Sequence, residues 1–304
     1  MGPRIWIKRD DLTGSLLSGN KVRKLNFLVA RALAEGCDTL ITCGGVQSNH
    51  CRATALVGAQ LGLKVCLILR DDGDVDVKGN LLLDHLAGAR VEIYSRREYT
   101  AKLAQLFEHW QQHYRQQGAK PFCIPTGASN DTGVWGYVDC SRELMADFKR
   151  EKIEPKHVYT ATGSGGTQAG LTLGLALHDC KAQVLGVAVC DSEDYFLNKV
   201  RRDLAAWQSR YAIDVDLDSL SVKVNANYIG PGYAHAGPEV FQTITWLAQQ
   251  EGIVLDPVYT GKAFHALISE IKNGRHRDES DIVFVHTGGL FGLFAQQQHV
   301  ISNM

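Results

Sequence analysis

Two lysines, Lys21 and Lys24, stand three residues apart in a segment whose apolar residues repeat with helical period. On a helix they share one face, so one amine can bond to a carbonyl carbon while the other reaches an anionic group of the same molecule. A lysine amine becomes nucleophilic when burial or cationic neighbours lower its pKa, and Arg23 and Lys24 place positive charge close to Lys21 in sequence. Most lysines are merely solvated, so the pair is a hypothesis that other segments must support.

A glycine- and serine-rich turn, Gly163-Ser164-Gly165-Gly166-Thr167, lies between a predicted strand and a predicted helix. Glycine permits positive φ and close approach of a ligand, and exposed N–H groups at a helix N-terminus attract an anion. The alternatives are a tight turn that binds nothing and a dinucleotide loop. The GxGxxG pattern of a dinucleotide loop is not matched, because its third glycine position falls at about Ala169. The turn therefore predicts a phosphate cradle, with the empty turn left open.

Three polar residues, Ser48, Asn49 and His50, follow a Gly-Gly turn at the end of another predicted strand. Short polar side chains at the start of a helix either cap it or bind a substrate carboxylate. Capping accounts for one of the three, and a lone histidine is more often a hydrogen-bonded structural residue than a base. Tyr233 and Tyr259 are further candidates, although a lone tyrosine is usually a packing residue with a solvated hydroxyl.

The bulk composition excludes several classes of function. The chain has 304 residues, 45% of them hydrophobic, which is enough for two lobes or one large α/β body. A formal net charge of -1 with dispersed basic residues argues against nucleic-acid or polybasic membrane binding. No apolar run approaches the roughly 20 residues that cross a bilayer. The eight cysteines form no CxxC pair, so we expect reduced thiols in a cytoplasmic protein and no metal site.

Short β-branched runs alternate with longer segments of helical period, which predicts βα units and a parallel sheet. The predicted strands are Thr39–Cys43, Val65–Leu69, Val91–Tyr94, Pro121–Ile124, Val158–Thr162, Val184–Val189 and Ile282–His286. The predicted helices are Lys21–Ala34, Asn49–Leu61, Glu98–Gln117, Thr132–Lys149, Thr167–His178, Pro238–Glu251 and Gly261–Asn273. Ligands of open α/β sheets bind beyond the carboxyl ends of the strands. Both glycine-rich turns follow strands, so both lie where a cleft should be.

These segments together resemble the pyridoxal-phosphate enzymes of fold type II, specifically the D-cysteine desulfhydrase and 1-aminocyclopropane-1-carboxylate deaminase family. The resemblance runs from about Trp6 to Gly292, and its specificity lies in the joint order of the motifs. They are Lys8-Arg9-Asp10-Asp11-Leu12-Thr13-Gly14, Gly19-Asn20-Lys21-Val22-Arg23-Lys24-Leu25, Gly44-Gly45-Val46-Gln47-Ser48-Asn49-His50, Gly163–Gly170, Asp256–Lys262 and His286-Thr287-Gly288-Gly289.

The resemblance implies a two-lobed α/β fold like that of the tryptophan synthase β subunit. Its sheets are open, twisted and mostly parallel, and helices flank them. A smaller lobe, residues 35–142, is inserted in a larger cofactor-binding lobe made of residues 1–34 and 143–304. Relatives of this fold type also suggest a homodimer that acts on a small amino acid.

The resemblance implies Lys21 as the lysine of the internal aldimine with pyridoxal phosphate. Lys24 and the backbone of Gly163–Thr167 are then expected to hold the phosphate, and Asn49 to meet the 3'-oxygen of the cofactor. Thr260 is expected to face the pyridine nitrogen. A hydroxyl there hydrogen-bonds the nitrogen without protonating it, whereas an acidic residue would make the ring a stronger electron sink.

The substrate side of the site is implied in the same way. Ser48, Asn49 and His50 are expected to receive the substrate carboxylate, and Tyr233 and Tyr259 to flank the bound amino acid. With Lys21, the residues Ser48, Tyr233 and Tyr259 are the catalytic candidates.

Threonine at position 260 favours β-elimination over opening of a cyclopropane ring. The expected reaction converts D-cysteine to pyruvate, ammonia and hydrogen sulfide through the Lys21 aldimine and an aminoacrylate. The alternatives are cysteate sulfo-lyase activity, a racemase-like activity, 1-aminocyclopropane-1-carboxylate deaminase activity and a shortened relative that binds the cofactor but catalyses nothing. The last is considered because some tens of residues usual before Ile5 are absent. Trp135, Phe291 and Gln296 also depart from the family pattern, and we expect them to reshape the substrate pocket.

Overall fold

The computed structural model describes residues 2–73 and 75–302, which form two separate β-sheets. The strands are β1 (Arg4–Arg9), β2 (Thr39–Gly45), β3 (Lys64–Arg70), β4 (Arg90–Tyr94), β5 (Pro121–Cys123), β6 (His157–Thr162), β7 (Gln183–Ala188), β8 (Lys223–Asn225) and β9 (Asp281–His286). The larger sheet has the order β1-β9-β6-β7-β8 and the smaller one β4-β3-β2-β5. All ladder pairs in both sheets are parallel.

Helices connect and cover the strands. They are α1 (Asn20–Ala34), α2 (Asn49–Gln60), α3 (Gly79–Leu86), α4 (Arg96–Gln116), α5 (Trp135–Glu151), α6 (Gly166–Leu177), α7 (Glu193–Tyr211), α8 (Pro238–Glu251), α9 (Thr260–Lys272), α10 (Leu290–Phe294) and α11 (Gln297–Ser302). Serine side chains cap three of them by accepting the backbone N–H three residues on, namely Ser48, Ser95 and Ser192. Within the described residues, 2–73 and 75–302, no helix is both long and apolar enough to cross a membrane.

Every strand and helix predicted from the sequence is present, with bounds that shift by up to three residues. The sequence missed β1, β8, α3, α7, α10 and α11. Three-residue β8 is too short to show an alternating pattern. α7, in contrast, carries a clear apolar stripe of Phe196, Val200, Leu204 and Trp207, all buried.

The first strand belongs to the larger sheet rather than to the sheet that follows it in sequence. β1 pairs in parallel with β9, with Ile5 opposite Ile282 and Arg9 opposite His286. This pairing places the start of α1 at the carboxyl edge of the larger sheet. The division into 1–34 and 143–304 against 35–142 stays a prediction, and the expected boundary after residue 142 falls inside α5.

α5 lies so close to α1 that the contact requires glycine. A Cβ on Gly136 would lie 2.6 Å from the carbonyl oxygen of Arg23 and 2.7 Å from the backbone nitrogen of Lys24. Such distances are well inside van der Waals contact, so a larger residue would push α1 away. The close approach fixes the position of the helix that carries both candidate lysines.

Each sheet is buried by apolar side chains on both faces. On the smaller sheet, Leu40 and Leu67 pack toward α1 and α2, while Ile41 and Ile68 pack toward α4. All four are completely buried, and burial of each is worth about 2 kcal/mol. Strands buried on both faces read as continuous apolar runs, which is why the sequence located them.

Candidate active site

A cleft of about 610 Å³ opens at the carboxyl-terminal edges of the two sheets. Its wall is made by the ends of β2, β3 and β6, by the segments after β7 and β9, and by the start of α1. Lys21 and the turn at Ser48–His50 lie on this wall together with Gly163, Ser164, Gly165 and Thr167. Segments distant in sequence are therefore brought to one cavity of a size typical for small-molecule sites.

Lys21 is the second residue of α1, and its Nζ donates a hydrogen bond to Asn20 Oδ1 over 2.9 Å. Burial lowers the pKa of Lys21 from 10.5 to about 8, and the positive charge of Arg52 contributes to the shift. The sequence had pointed to Arg23 as a cationic neighbour. Arg23 instead forms ion pairs with Asp10 and Glu143 on the other side of the helix. The charge of Arg23 is compensated by these two carboxylates. Arg52, not Arg23, is therefore the arginine that lowers the pKa of Lys21.

Lys24 lies behind the glycine-rich turn and is 1% exposed. Its Nζ donates to the carbonyl oxygen of Gly127 over 3.2 Å and to Ser129 Oγ over 3.1 Å, and a Cβ on Gly166 would lie 3.0 Å from it. Burial lowers the pKa of Lys24 well below its usual value, and the charges of Lys21 and Lys199 add to this. No carboxylate within the described ranges forms an ion pair with Lys24. The carboxylate of Asp203 acts on this buried amine without forming an ion pair with it, so a bound anion would find a direct contact open.

The glycine-rich turn is arranged to receive an anion. Gly165 has φ +83°, a conformation that L-residues rarely adopt, and it leads directly into α6. Ser129 Oγ accepts the N–H of Gly166 over 3.1 Å and contacts Ser164 Oγ at 2.8 Å. In the described chain, the backbone N–H groups of Ser164 and Gly165 make no hydrogen bond. Open N–H groups at a helix N-terminus are the donor set that a phosphate accepts from.

The three polar residues after β2 have different environments. Ser48 caps α2 by accepting from Cys51 N at 3.2 Å, which is the capping role that one of them was expected to have. Asn49 Oδ1 accepts from Asn80 Nδ2 at 3.0 Å, so its own amide nitrogen is left as the donor.

His50 is 3% exposed and lies 2.7 Å from Thr42 Oγ1 through Nε2. Burial lowers its pKa well below 6.5, and the charges of Lys21 and Lys24 add to this. His50 is therefore neutral, which makes it a hydrogen-bonding partner rather than a charged carboxylate receptor.

Tyr233 and Tyr259 meet across the cleft, with hydroxyl oxygens 2.5 Å apart and ring centroids 6.0 Å apart. Burial raises the pKa of both hydroxyls, so both are protonated at neutral pH. One hydrogen occupies the short contact, which leaves one O–H free for a ligand. The pair therefore presents a polar hydroxyl group between two aromatic rings.

Thr260 is completely buried and, unlike Tyr259, does not line the cleft in the described chain. Its hydroxyl donates to Asp256 Oδ1 over 2.7 Å and accepts from Asp256 N over 2.9 Å. The hydrogen that would meet a pyridine nitrogen is therefore engaged elsewhere. The predicted contact would require Thr260 to exchange this partner, and it stays a prediction.

Three residues near the site were missed because their positions depend on tertiary structure. Arg52, in α2, is 1% exposed and donates to the carbonyl oxygen of Ser18 over 3.0 Å. Ser129 follows a tight turn and supports both Lys24 and Gly166. Arg70 ends β3 and lines the cleft. Of the three, only Arg70 could have been predicted from the sequence as a cleft residue, because it directly follows a predicted strand.

The three departures from the family pattern do not lie on the cleft wall within the described residues, contrary to expectation. Trp135 packs among Phe27, Trp207 and Tyr211. Phe291 lies under the guanidinium of Arg52, and its ring centroid is 4.7 Å from the guanidinium carbon. Gln296 donates to a backbone carbonyl. Of the three, Phe291 has an indirect connection to the site, because it contacts the cation that lowers the pKa of Lys21.

A second polar cluster, not expected from the sequence, lies where β6 begins. His157, His276 and Glu279 bring their nitrogen and oxygen atoms within 4.8 Å of one another, a spacing that also suits a metal ion. Glu279 accepts from His157 Nδ1 at 2.9 Å and from His276 Nδ1 at 2.7 Å, while His276 Nε2 contacts Tyr159 at 2.6 Å. These contacts already satisfy the buried groups, so the cluster reads as a structural hydrogen-bond network.

Comparison with known proteins defines the class. The sequence model of the pyridoxal-phosphate dependent enzymes matches residues 1–288. The crystal structure of a 1-aminocyclopropane-1-carboxylate (ACC) deaminase homologue superposes with a TM-score of 0.90 at 34% identity, covering 99% of this chain and 89% of that one. The chain belongs to the pyridoxal-phosphate-dependent enzymes and has their fold type II architecture, so the fold class predicted from the sequence is confirmed.

Two curated relatives narrow the comparison within that family. The bifunctional D-cysteine desulfhydrase/1-aminocyclopropane-1-carboxylate deaminase of Arabidopsis thaliana, a mitochondrial protein, is 40% identical over 312 residues, covering 100% of this chain and 76% of that one. The D-cysteine desulfhydrase of Serratia proteamaculans is 39% identical over 309 residues, covering 99% and 91%. The resemblance drawn from the motifs is confirmed by this similarity.

The residues present fit pyridoxal phosphate. Lys24 and the open N–H groups of Ser164 and Gly165 lie together and lack an anion, which the phosphate would supply. Lys21, on the same cleft wall, has the lowered pKa that carbonyl chemistry requires. The donor set is therefore suited to the cofactor of the family.

Proposed function

We propose that this protein is a lyase that converts D-cysteine and water to pyruvate, ammonia and hydrogen sulfide. The observation that supports this most is the position of Lys21. Its amine, with a pKa of about 8, lies on the wall of a cleft that has an anion-receptive turn on one side and a polar helix start on the other. The curated names of the relatives supply the substrate.

The cofactor would be held at several points. Lys24 and the N–H groups of Gly163–Thr167 would bind the phosphate, since they combine a buried positive charge with free donors. Asn49 would donate its amide nitrogen to the 3'-oxygen, because Asn80 already occupies its Oδ1. When bound, pyridoxal phosphate supplies an electron sink that stabilises negative charge on the α-carbon of the substrate.

The substrate would lie between the start of α2 and the tyrosine pair. Ser48 and Asn49, at the N-terminus of α2, would receive its carboxylate, with neutral His50 behind them. Tyr233 and Tyr259 would flank its side chain, and their one free O–H would donate to the departing sulfur. Because one hydroxyl donates to the other across 2.5 Å, the acceptor's own O–H stays available to a ligand.

Lys21 would move the proton. Near neutral pH a useful fraction of its amine is uncharged, so it can take the α-proton of the substrate while Asn20 orients it. The bond between the β-carbon and sulfur then breaks, and hydrosulfide leaves with the bonding electrons. Hydrolysis of the remaining three-carbon fragment gives pyruvate and ammonia, so that all atoms of D-cysteine and one water are accounted for.

We also propose that the protein is a homodimer in the cytoplasm. Two contacting helices, α3 and α10, expose an apolar surface made of Leu82, Leu86, Leu290 and Phe294, of which Leu86 is 73% exposed. A surface of this kind is typical of an interface. The eight cysteines are all free thiols, as expected in a reducing compartment. Light scattering of the purified protein is expected to give twice the mass of the chain.

The deciding experiment measures pyruvate and sulfide released from D-cysteine and from L-cysteine by the cofactor-loaded protein. We expect release from D-cysteine, and loss of both release and visible cofactor absorbance in Lys21→Ala. Lys149→Ala, which removes an exposed lysine of α5 that does not line the cleft, is the control for absorbance. Cofactor absorbance without release from D-cysteine would refute the proposed substrate, and ammonia from 1-aminocyclopropane-1-carboxylate would identify the deaminase alternative. Absence of absorbance after cofactor addition would refute the enzyme.

A further inference from the structure

Arg70 lines the cleft from the carboxyl end of β3, next to the strand that leads to Ser48–His50. Its guanidinium carbon lies 5.0 Å from the ring centroid of Tyr99 and 5.6 Å from that of Tyr233. Contacts with aromatic rings hold a guanidinium in place without consuming its N–H donors. The side chain is thus positioned at the cleft with its hydrogen-bonding capacity intact.

Apart from these two rings, this cation has no side-chain partner within residues 2–73 and 75–302. Its guanidinium makes neither a hydrogen bond nor an ion pair there, although Asp191 also lines the cleft. An arginine stays charged at all physiological pH values and offers five donors in a planar fork. Holding such a group half-buried without a partner is unfavourable, and an anionic ligand in the cleft would compensate it.

The other cations of the cleft already have a role or a partner: Lys21 carries the reactive amine, and Lys199 forms an ion pair with Asp203. This argument depends on the proposed function, in which Lys24 and Gly163–Thr167 hold the phosphate and the start of α2 holds the α-carboxylate. A cysteine with a neutral thiol brings no further anion. Among the cleft-lining cations of residues 2–73 and 75–302, Arg70 is therefore the one with neither an ion-pair partner nor a role with that substrate.

We infer that Arg70 is a specificity-determining residue that binds a negatively charged β-substituent of the substrate. The planar fork suits two oxygens of a sulfonate or sulfate group. The substrate class then includes amino acids with an acidic β-leaving group, such as cysteate. In that reaction the α C–H and β C–S bonds break, sulfite leaves with the bonding electrons, and hydrolysis gives pyruvate and ammonia.

The test compares two substrates of the accepted handedness, cysteate and β-chloroalanine, which differ in the charge of the β-substituent. Pyruvate release is measured for the unmodified holoenzyme, Arg70→Met and Arg70→Lys. We expect the ratio of kcat/KM for cysteate to that for β-chloroalanine to fall about 10- to 100-fold in Arg70→Met, since a charged hydrogen bond is lost. Arg70→Lys, which keeps the charge but not the fork, is expected to lie between. The change should be mainly in KM for cysteate.

An equal fall in kcat/KM for cysteate and for β-chloroalanine would overturn the inference. Arg70 would then act on the α-carboxylate or on the structure of the site. Turnover of β-chloroalanine but not cysteate by the unmodified enzyme would also overturn it, while leaving the proposed elimination intact. If neither substrate reacts, the proposed function fails. Cysteate binding, followed by the change in cofactor absorbance, then reports on Arg70 separately: weaker binding to Arg70→Met supports the inference, and unchanged binding overturns it.

Discussion

Asn20 accepts a hydrogen bond from the residue that follows it, with its Oδ1 2.9 Å from Lys21 Nζ. The amide nitrogen of the same side chain donates to Thr167 Oγ1 over 3.0 Å. One side chain therefore connects the candidate catalytic amine to the turn that is predicted to hold phosphate. A shift of the turn on binding an anion would be transmitted directly to the amine.

Replacing Asn20 by aspartate is expected to raise the pKa of Lys21 by about one to three units, because a carboxylate at this distance stabilises the ammonium. The capture of pyridoxal phosphate by the apoprotein requires the neutral amine. Its rate should thus rise with pH to a plateau above about 8 in the unmodified protein, and only at higher pH in Asn20→Asp. Stopped-flow absorbance across pH 6 to 10 measures this. An unshifted midpoint would show that Asn20 does not contact Lys21.

Arg52→Met should also raise the pKa of Lys21, by up to about one unit, because it removes a cation that disfavours the ammonium. Arg52→Lys retains the charge and serves as the matched control, whose midpoint is expected to stay near 8. The same capture kinetics report on both variants. Since Arg52 also contacts Ser18 and Phe291, thermal unfolding must first establish that both variants are folded. Identical midpoints in the two variants would argue against the charge effect.

Lys24→Met is expected to weaken pyridoxal phosphate binding by about 10- to 100-fold, since a charge-assisted contact with the phosphate is lost while an unbranched apolar stem remains. Titration of the apoprotein, followed by absorbance, measures the dissociation constant. The internal control is pyridoxal, which lacks the phosphate and should bind the variant and the unmodified protein alike. A comparable loss with pyridoxal would show that Lys24 maintains the fold rather than the phosphate.

Glu143 links α5 to α1 and β1, because it pairs with Arg23 at 2.8 Å and with Lys8 at 2.9 Å. The hydrogen bond from Arg23 holds the pKa of Glu143 at about 2, below its usual 4.5. The stabilisation is present above pH 4.5 and is lost as the pH falls from about 4.5 to 2. With one third of the carboxylate exposed, we expect it to be worth about 1 kcal/mol. Melting temperatures of Glu143→Gln and the unmodified protein should converge at acidic pH, and parallel curves would contradict this.

The sequence located the site mainly through local signals. Gly163–Thr167 and Ser48–His50 each follow a strand in the chain, and parallel strands end at one edge, so their meeting was predictable. Lys21 was predictable from its position at the start of an amphipathic helix. Arg52 was not, because its effect on Lys21 depends on how α2 packs beside α1. A charged residue in the first turn of a helix gives no sign in the sequence of being buried.

The hydrogen bond from Thr260 to Asp256 shows a second limit of prediction from the sequence. The acidic residue lies four positions earlier and also accepts the N–H of Val258, Tyr259 and Thr260 at the start of α9. Spacing alone suggests a capping aspartate, but it does not indicate where the threonine hydroxyl points. That direction depends on the rotamer of a β-branched side chain within a packed turn.

The pairing of β1 with β9 has a consequence for biosynthesis. Arg4 lies opposite Asp281, so the first strand finds its partner only after the 277 positions that separate them have been synthesised. The smaller sheet uses neighbouring segments and can form during translation, whereas the larger sheet cannot be completed until β9 has left the ribosome. The N–H of Asn20 donates to the carbonyl oxygen of Thr287 over 3.1 Å, so the start of α1 gains this contact only when the segment after β9 has emerged. Until then a nascent chain lacks part of the wall around Lys21.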